Sequence, residues 1–547
     1  MEKKCKRLLL FIVVVPTAAF AVGGEFPFVE DPPDENTIDR ISKNEVELAR
    51  DFHANIEIIL QEFGTDGVRD TKYWWGDASN QNGRPTAAEF VTHAAPASPR
   101  VRSEINPAGF VNMLLPDPTG MDLDIYTWTF RGHEIEGDVQ MLVFDLKPKP
   151  GAGLGRFSGT VWVAAQDLQI CRFDGGFDSQ SQQKRSHYLH FVSVRNRVTL
   201  NNVSLWVPAT VWIEERDFRT PTAAISGLKG RVNVFGIRRT ATRQTYKGSL
   251  QPEDRDVPVE KSDASSLHDS RTFYERTEQK VLDFLEGIGV LAKRGRVDLV
   301  CEKVLYKLRG ASAPDFPADL HCRVMLTSTV EWFVVGRTLI VSKSILDLPP
   351  DEPAMAALLA PALACILKDR PIQSISDAIL QNRDQALRKL NFQNSAKDKT
   401  DYEREAITLL KNSEFAKKMA TAAVFQQTAE KYCSALGALF APRFGDRLSV
   451  CDPSSPLRQL DSMAVRNPRG PAALVLGARL TVDQFSDEVA MVDPPADNAP
   501  FQLVPIDLVP RLLRQVATAP QETPFPPVLP VSNGPATAPL KSGSVVQ

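Results

Sequence analysis

The chain has 547 residues, of which 43% are hydrophobic and 24% charged, and its formal net charge is −3 at pH 7. That length points to two to four domains of about 100 to 200 residues each. The chain is mildly acidic, and nothing in that balance suggests the clustered Lys and Arg that phosphate-backbone binding needs, so no nucleic-acid partner is expected.

At the start, Lys3, Lys4, Lys6 and Arg7 precede an apolar run from Leu8 to Val15, and Ala19-Phe20-Ala21 puts small residues at the two positions a signal peptidase reads. This predicts a secretory signal over residues 1–21 and a periplasmic or secreted protein. An anchor helix is the competing reading, but Pro16 interrupts the run, which falls short of the ~20 residues a membrane span needs. Cys5 lies before the apolar run and is not placed as a lipoprotein's acylated cysteine. No later stretch is apolar for long enough to span a bilayer, so the mature chain is expected to be soluble. Losing four basic residues and Glu2 moves the formal charge from −3 to −6.

Residues 22–37, rich in Pro and acid, read as a linker, and helical spacing follows over Ile38 to Phe63. Alternation begins at Tyr126 to Phe130 and continues through Val139 to Leu146, Gly159 to Ala164, Leu189 to Val194, Leu205 to Ile213 and Arg231 to Ile237. This predicts an antiparallel meander, a bent sheet or half-barrel, within a first domain over 38–250. Residues 251–270 form a second polar linker. Beyond it the period turns helical, at Arg271 to Leu291, Met355 to Leu367, Tyr402 to Leu410 and Ala416 to Leu436, with β-like runs at Cys322 to Thr327 and Thr338 to Ser342. The predicted class is α+β: a bent antiparallel sheet with helices, then a mainly helical domain over 271–515 with a small sheet. A Pro-rich tail, 516–547, reads as disordered.

Six cysteines remain after the signal: Cys171, Cys301, Cys322, Cys365, Cys433 and Cys451. Spacing does not fix connectivity. Cys301 with Cys322 and Cys433 with Cys451 are the nearest candidate pairs, and free buried thiols are the equal alternative.

Two stretches resemble known families. The segment "YTWTFRGHEIEGDVQMLVFDLKPKPGAGLGRFSGTVWVAAQDLQICRFDG" with "HFVSVRNRVTLNNVSLWVPATVWIEE" is similar to bacterial outer-membrane lipoprotein-sorting domains, in which a strongly bent sheet wraps over helices. The resemblance implies an apolar concavity for lipid or lipoprotein acyl chains, and an ordinary packed core is the alternative. No lipid-binding residue is assigned.

The segment "CRVMLTSTVEWFVVGRTLIVSKSILDLPPDEPAMAALLAPALACILKDR" resembles the heart of CAAX-prenyl-protease-type zinc metallopeptidases. The pieces "DYEREAITLLKNSEF", "FGDRL", "VLGARLTVDQFSDEV" and "APFQLVPIDLVPRL" extend the likeness over about Ser270 to Leu513. In that family two histidines of an H-E-x-x-H helix bind zinc and the glutamate activates water. Here the five positions are Pro361, Ala362, Leu363, Ala364 and Cys365, and no histidine follows His321. The third ligand of the family, a glutamate on a later helix, matches Glu403, with Glu405 as the alternative, while Ile407 replaces the aspartate that follows. Pro361 adds a helix-interior proline, which costs about 3 kcal/mol unless accommodated by a kink. The resemblance therefore implies a pseudoenzyme with no catalytic residue, no zinc and no other cofactor.

Other patterns are weaker. His133-Glu134-Ile135-Glu136-Gly137-Asp138 begins like a zinc motif but lies in a strand-like segment, and His187 and His190 point to opposite faces of a strand. Cys365 with His321 would be a thiol pair without a nucleophile turn, in an apolar helix where a thiol is inert. No phosphate-binding glycine loop, G-x-S-x-G elbow or paired-cysteine zinc spacing is present. The expectation is an exported, non-catalytic protein joining a lipid-handling sheet domain to a pseudopeptidase module, with acyl chains and a protein at the pseudopeptidase cleft as partners. An active hydrolase with a non-standard site and a purely structural or interaction protein are the alternatives.

Overall fold

The computed structural model describes residues 32–50, 52–64, 67–81, 84–92, 107–117, 120–136, 139–178, 187–200, 203–217, 224–238, 266–309, 320–368, 386–387, 389–463, 474, 476, 479–482 and 488–491. The predicted signal over 1–21, the predicted tail over 516–547 and most of both predicted linkers lie outside the described residues.

Helix α1 (Glu35–Arg50) buries Ile38, Ile41, Ser42, Glu45 and Ala49, one face of a helical repeat. The helix predicted as far as Phe63 stops at Arg50, and strand β1 (His53–Gly64) takes over. Ile56, Ile59, Leu60 and Phe63 fit a helical stripe, but Ala54, Ile56, Ile58 and Leu60 also fit a period of two, and the strand pattern prevails because a partner strand lies on each side.

Strands β2 (Gly67–Gln81) and β3 (Arg84–Thr92) follow, then a single helical turn α2 (Ala108–Val111). Next come β4 (Tyr126–Glu136), β5 (Val139–Pro148), β6 (Arg156–Ala164), β7 (Gln169–Asp178), β8 (His187–Leu200), β9 (Val203–Asp217) and β10 (Ala224–Arg238). These ten make one antiparallel sheet in the order β3-β2-β1-β10-β9-β8-β7-β6-β5-β4, with Ile58 opposite Val232 where β1 joins β10. The predicted runs correspond to β4, β5, β6, β8, β9 and β10; β1 carries both periods, and β2, β3 and β7 carry no clear alternation. Tyr73-Trp74-Trp75 shows why: Trp74 faces the inner core and Tyr73 and Trp75 the outer one, so a strand buried on both faces reads as continuously apolar. Gly159 and Gly175 oppose each other on β6 and β7, and a Cβ on either would lie 2.3 Å from a carbonyl oxygen across the pair. Only glycine allows the strands to approach so closely there.

The inner face of the sheet, with Phe144, Phe157, Phe173 and Phe191 fully buried, packs beneath α1, residues 107–117 and Met121. Arg195 on β8 anchors that helix through two bonds to Glu45, at 2.7 and 2.5 Å, and both side chains are shut away from water. The outer face belongs to a second core, in which Ile59, Tyr73, Trp75, Val192, Val194, Trp212 and Phe235 pack with the helical region.

That region runs α3 (Ser266–Gly287), α4 (Arg296–Leu308), β11 (His321–Met325), β12 (Glu331–Val335), β13 (Thr338–Ser342), α5 (Lys343–Asp347) and α6 (Glu352–Leu367). After these come α7 (Ala396–Asn412), α8 (Met419–Ala435), β14 (Asp446–Arg447) and a hairpin of β15 (Leu480–Val482) and β16 (Val489–Met491). The small sheet is ordered β11-β13-β12-β14, with β11 parallel to β13. The sequence reading anticipates neither α4 nor β12. Cys433 and Cys451 form a disulfide, whereas Cys301, Cys322, Cys171 and Cys365 are free and buried. A hydrogen bond with Cys301, together with burial, pushes the Cys322 thiol well above its usual range. No described helix is long and apolar enough to cross a membrane.

The two regions are joined by polar bonds as well as packing. Glu57, fully buried on β1, accepts Ser328 N and Ser328 Oγ, each at 2.6 Å, and the Tyr73 hydroxyl. Asn55 Nδ2 donates to Ile288 O at 2.9 Å and Gly289 O at 3.1 Å. Arg443 lays its guanidinium 3.9 Å over the Trp75 ring.

Candidate functional site

Helix α6 starts from Asp351, whose carboxylate accepts Ala354 N at 2.9 Å. It continues through Pro361 to Leu367, and Pro361, Ala362, Leu363, Ala364 and Cys365 are all buried. Ala362 is 0% exposed and Cys365 4%, both inside the large hydrophobic cluster. A histidine-free helix with one thiol, facing core on all sides, does not fit a zinc ion. Across α6 on α7, Glu403 is buried at 3% exposure and Glu405 points to solvent, so only Glu403 reaches this area. Ile407, one turn on, is part of the core.

Beside Glu403 lies a cleft of about 310 Å³. Its walls are the start of α7, the edge strand β14 and the turn around Asp452, which the Cys433–Cys451 disulfide ties to α8. Glu403 Oε2 accepts Ser455 Oγ at 2.8 Å. Asp446 accepts Asn394 N at 3.2 Å and Asn394 Nδ2 at 2.5 Å, with Lys399 Nζ 4.0 Å away. Asp452 accepts Ser454 N at 2.8 Å and Ser454 Oγ at 2.7 Å, and these bonds hold its carboxyl below the usual range. Cys365 Sγ lies 3.9 Å from Oδ1 of Asn394, a residue that lines the cleft. The charged residues Lys399, Asp446, Arg447 and Asp452 are not assigned from the sequence. "FGDRL" contains Asp446 and Arg447, but nothing in that string shows that they turn toward Glu403.

A second opening, of about 380 Å³, sits at one end of the inner face, lined among others by Leu115, Asp117, Leu154, Arg156 and Phe177. Gly151, Gly153 and Gly155 all have positive φ, and the loop they shape presents Leu154 at 66% exposure. Under it, Asp117 accepts Tyr126 Oη at 2.7 Å and Arg156 NH1 at 2.6 Å, and Tyr126 Oη accepts Phe157 N at 3.2 Å. Burial, then the Asp117 charge, pushes the Tyr126 phenol far above its usual range.

The other sequence candidates are dispersed. His133 and Glu134 lie in β4, where Glu134 accepts the Trp162 indole N–H at 2.8 Å, and Asp138 lies outside the described residues. His187 and His190 fall in β8, and His190 Nε2 pairs with Asp174 at 3.0 Å. His321 opens β11 near Glu302, 3.6 Å away, whereas Cys365 is sealed in α6.

No protein-family model matches the chain, and no curated protein does. Its likenesses are distant and structural. A DUF1329 family protein from Desulfovibrio piger matches with 10% identity and a TM-score of 0.24, covering 39% of this chain and 95% of that one. A LolA superfamily protein from Nitrosomonas europaea matches with 12% identity and a TM-score of 0.22, covering 37% and 93%. A Vibrio parahaemolyticus domain described as outer membrane lipoprotein-sorting has 12% identity, a TM-score of 0.23 and coverage of 38% and 92%. At these scores the likeness carries nothing about function, and the peptidase resemblance rests on its residues alone.

Proposed function

We propose that this is an exported, non-catalytic bacterial protein of the periplasm or exterior. In this reading the sheet domain handles lipid or lipoprotein acyl chains, and the helical region is a peptidase-like body that has given up zinc chemistry and serves as a brace and binding surface. The observation that carries the non-catalytic part is the burial of Pro361, Ala362 and Cys365 in an apolar core, where a zinc helix presents its ligands to a cleft. The lipid part draws on the opening between Leu115, Leu154 and Phe177, which is apolar at its rim and within the ligand-pocket range of about 300–1,000 Å³.

Two measurements test the proposal. Zinc content of the mature protein, by elemental mass spectrometry, is expected to be negligible; stoichiometric zinc that disappears in a Glu403→Gln variant would overturn it. Native mass spectrometry of protein taken directly from cells is expected to show acyl-bearing mass, reduced in Leu154→Asp. A second reading, a purely structural or interaction protein, is favoured by the inner face, which α1, residues 107–117 and Met121 already fill with the chain's own side chains. An unliganded mass in repeated preparations selects that reading.

A further inference from the structure

The cleft beside Glu403 contains a cation that no acceptor among the described residues matches. The three carboxylates there have donors: Ser455 for Glu403, Asn394 for Asp446 and Ser454 for Asp452. Lys399 reaches Asp446 only at 4.0 Å. Arg447 makes no side-chain hydrogen bond or ion pair among the described residues, and its Nε is buried. It acts on Asp452 only through space, and that carboxylate is already held by Ser454. Arg447 lines the cleft, and a guanidinium without an acceptor among the described residues is open to one brought by a ligand. On the opposite sign, Glu403 uses only Oε2 within the chain, and Oε1 has no partner among the described residues.

The cleft therefore has an unmatched forked cation and a half-used carboxylate within one space of about 310 Å³, the small end of ligand pockets. A guanidinium selects a carboxylate by bidentate bonding, and a part-buried carboxylate selects an ammonium group. A plain anion would satisfy Arg447 but would face Glu403, Asp446 and Asp452. We propose that the cleft binds a small zwitterion of free-dipeptide size, its carboxylate on Arg447 with Lys399 beside it and its ammonium on Glu403. This rests on the non-catalytic reading, because zinc bound at Glu403 would use the same carboxylate.

The test is calorimetric titration of the full mature protein with Ala-Ala, its C-terminal amide, its N-acetyl derivative and inorganic phosphate. Saturable one-to-one binding of Ala-Ala is expected, weakened about tenfold or more by either blocking group. Arg447→Gln is expected to abolish the preference for the free carboxylate, Arg447→Lys to restore part of it, and Glu403→Gln to abolish the preference for the free amine. Each variant is compared with the parent by circular dichroism and thermal midpoint, so that lost binding counts only in folded protein. No binding by folded, zinc-free parent at about 10 mM Ala-Ala overturns this inference and leaves the proposed function standing. Phosphate binding as tightly as Ala-Ala also overturns it, while stoichiometric zinc in the same preparation overturns the function on which it rests.

Discussion

Glu45 and Arg195 meet with side chains 1% exposed, so neither has water to fall back on. Removing one partner leaves an uncompensated buried charge, and Glu45→Ala is expected to cost about 3–5 kcal/mol in urea unfolding. Two phenols set a pH limit. Burial first, then Glu57, raises Tyr73, and burial, then Asp117, raises Tyr126. The folded chain holds these protons more tightly than the unfolded chain, so their stabilisation is complete below about pH 10 and declines as pH climbs toward the folded values. Unfolding free energy is expected to fall above pH ~10, and the Tyr73→Phe/Tyr126→Phe pair to remove about 1.4 kcal/mol per pH unit of that slope for each phenol. Denaturant midpoints measured at a series of alkaline pH values check this. At this scale the sequence is legible where side chains lack chemistry, since Pro361 and Ala362 have no metal-binding atom in any fold. Arg447 is not, because its lack of a partner among the described residues depends on where the chain around residues 442–455 turns.

Helix α6 shows how far an element can be read. Its position and its interior proline follow from the sequence, but its burial on every side does not, because an apolar helix looks the same in a cleft wall and in a core. Writing an H-E-x-x-H motif into it as Pro361→His, Ala362→Glu and Cys365→His would push three ionisable groups into that core. Loss of cooperative unfolding is expected, a penalty above about 4 kcal/mol, rather than gain of zinc; near-ultraviolet circular dichroism and metal content report both. The Cys433–Cys451 bond, spanning 18 residues, is expected to contribute about 3 kcal/mol, lost in the Cys433→Ser/Cys451→Ser variant and visible as a lower thermal midpoint. β1 is the instructive misreading: its apolar residues satisfy both periods, and only the presence of β10 and β2 on its flanks decides between them.

The α+β class and the division into a sheet region and a helical region are both visible in the sequence. That the second region covers the outer face of the first is not, since the residues that meet, such as Glu57 with Ser328, are 271 positions apart. Because one core includes Trp75 and Phe235 with α3 and α6, calorimetry is expected to give a single unfolding transition, and a fragment ending at residue 250 to aggregate through its bared outer face. Two separate transitions would refute that union. Strand order has a consequence for how the molecule comes into being. β3 and β4 are consecutive along the chain yet occupy opposite edges, and β1 gains its second neighbour only from β10, Val232 lying 174 positions after Ile58. A polypeptide emerging N-terminus first therefore shows an open β1 edge throughout the synthesis of everything between. The speed of elongation sets the length of that interval, and within it the nascent protein is most at risk of pairing with another copy of itself.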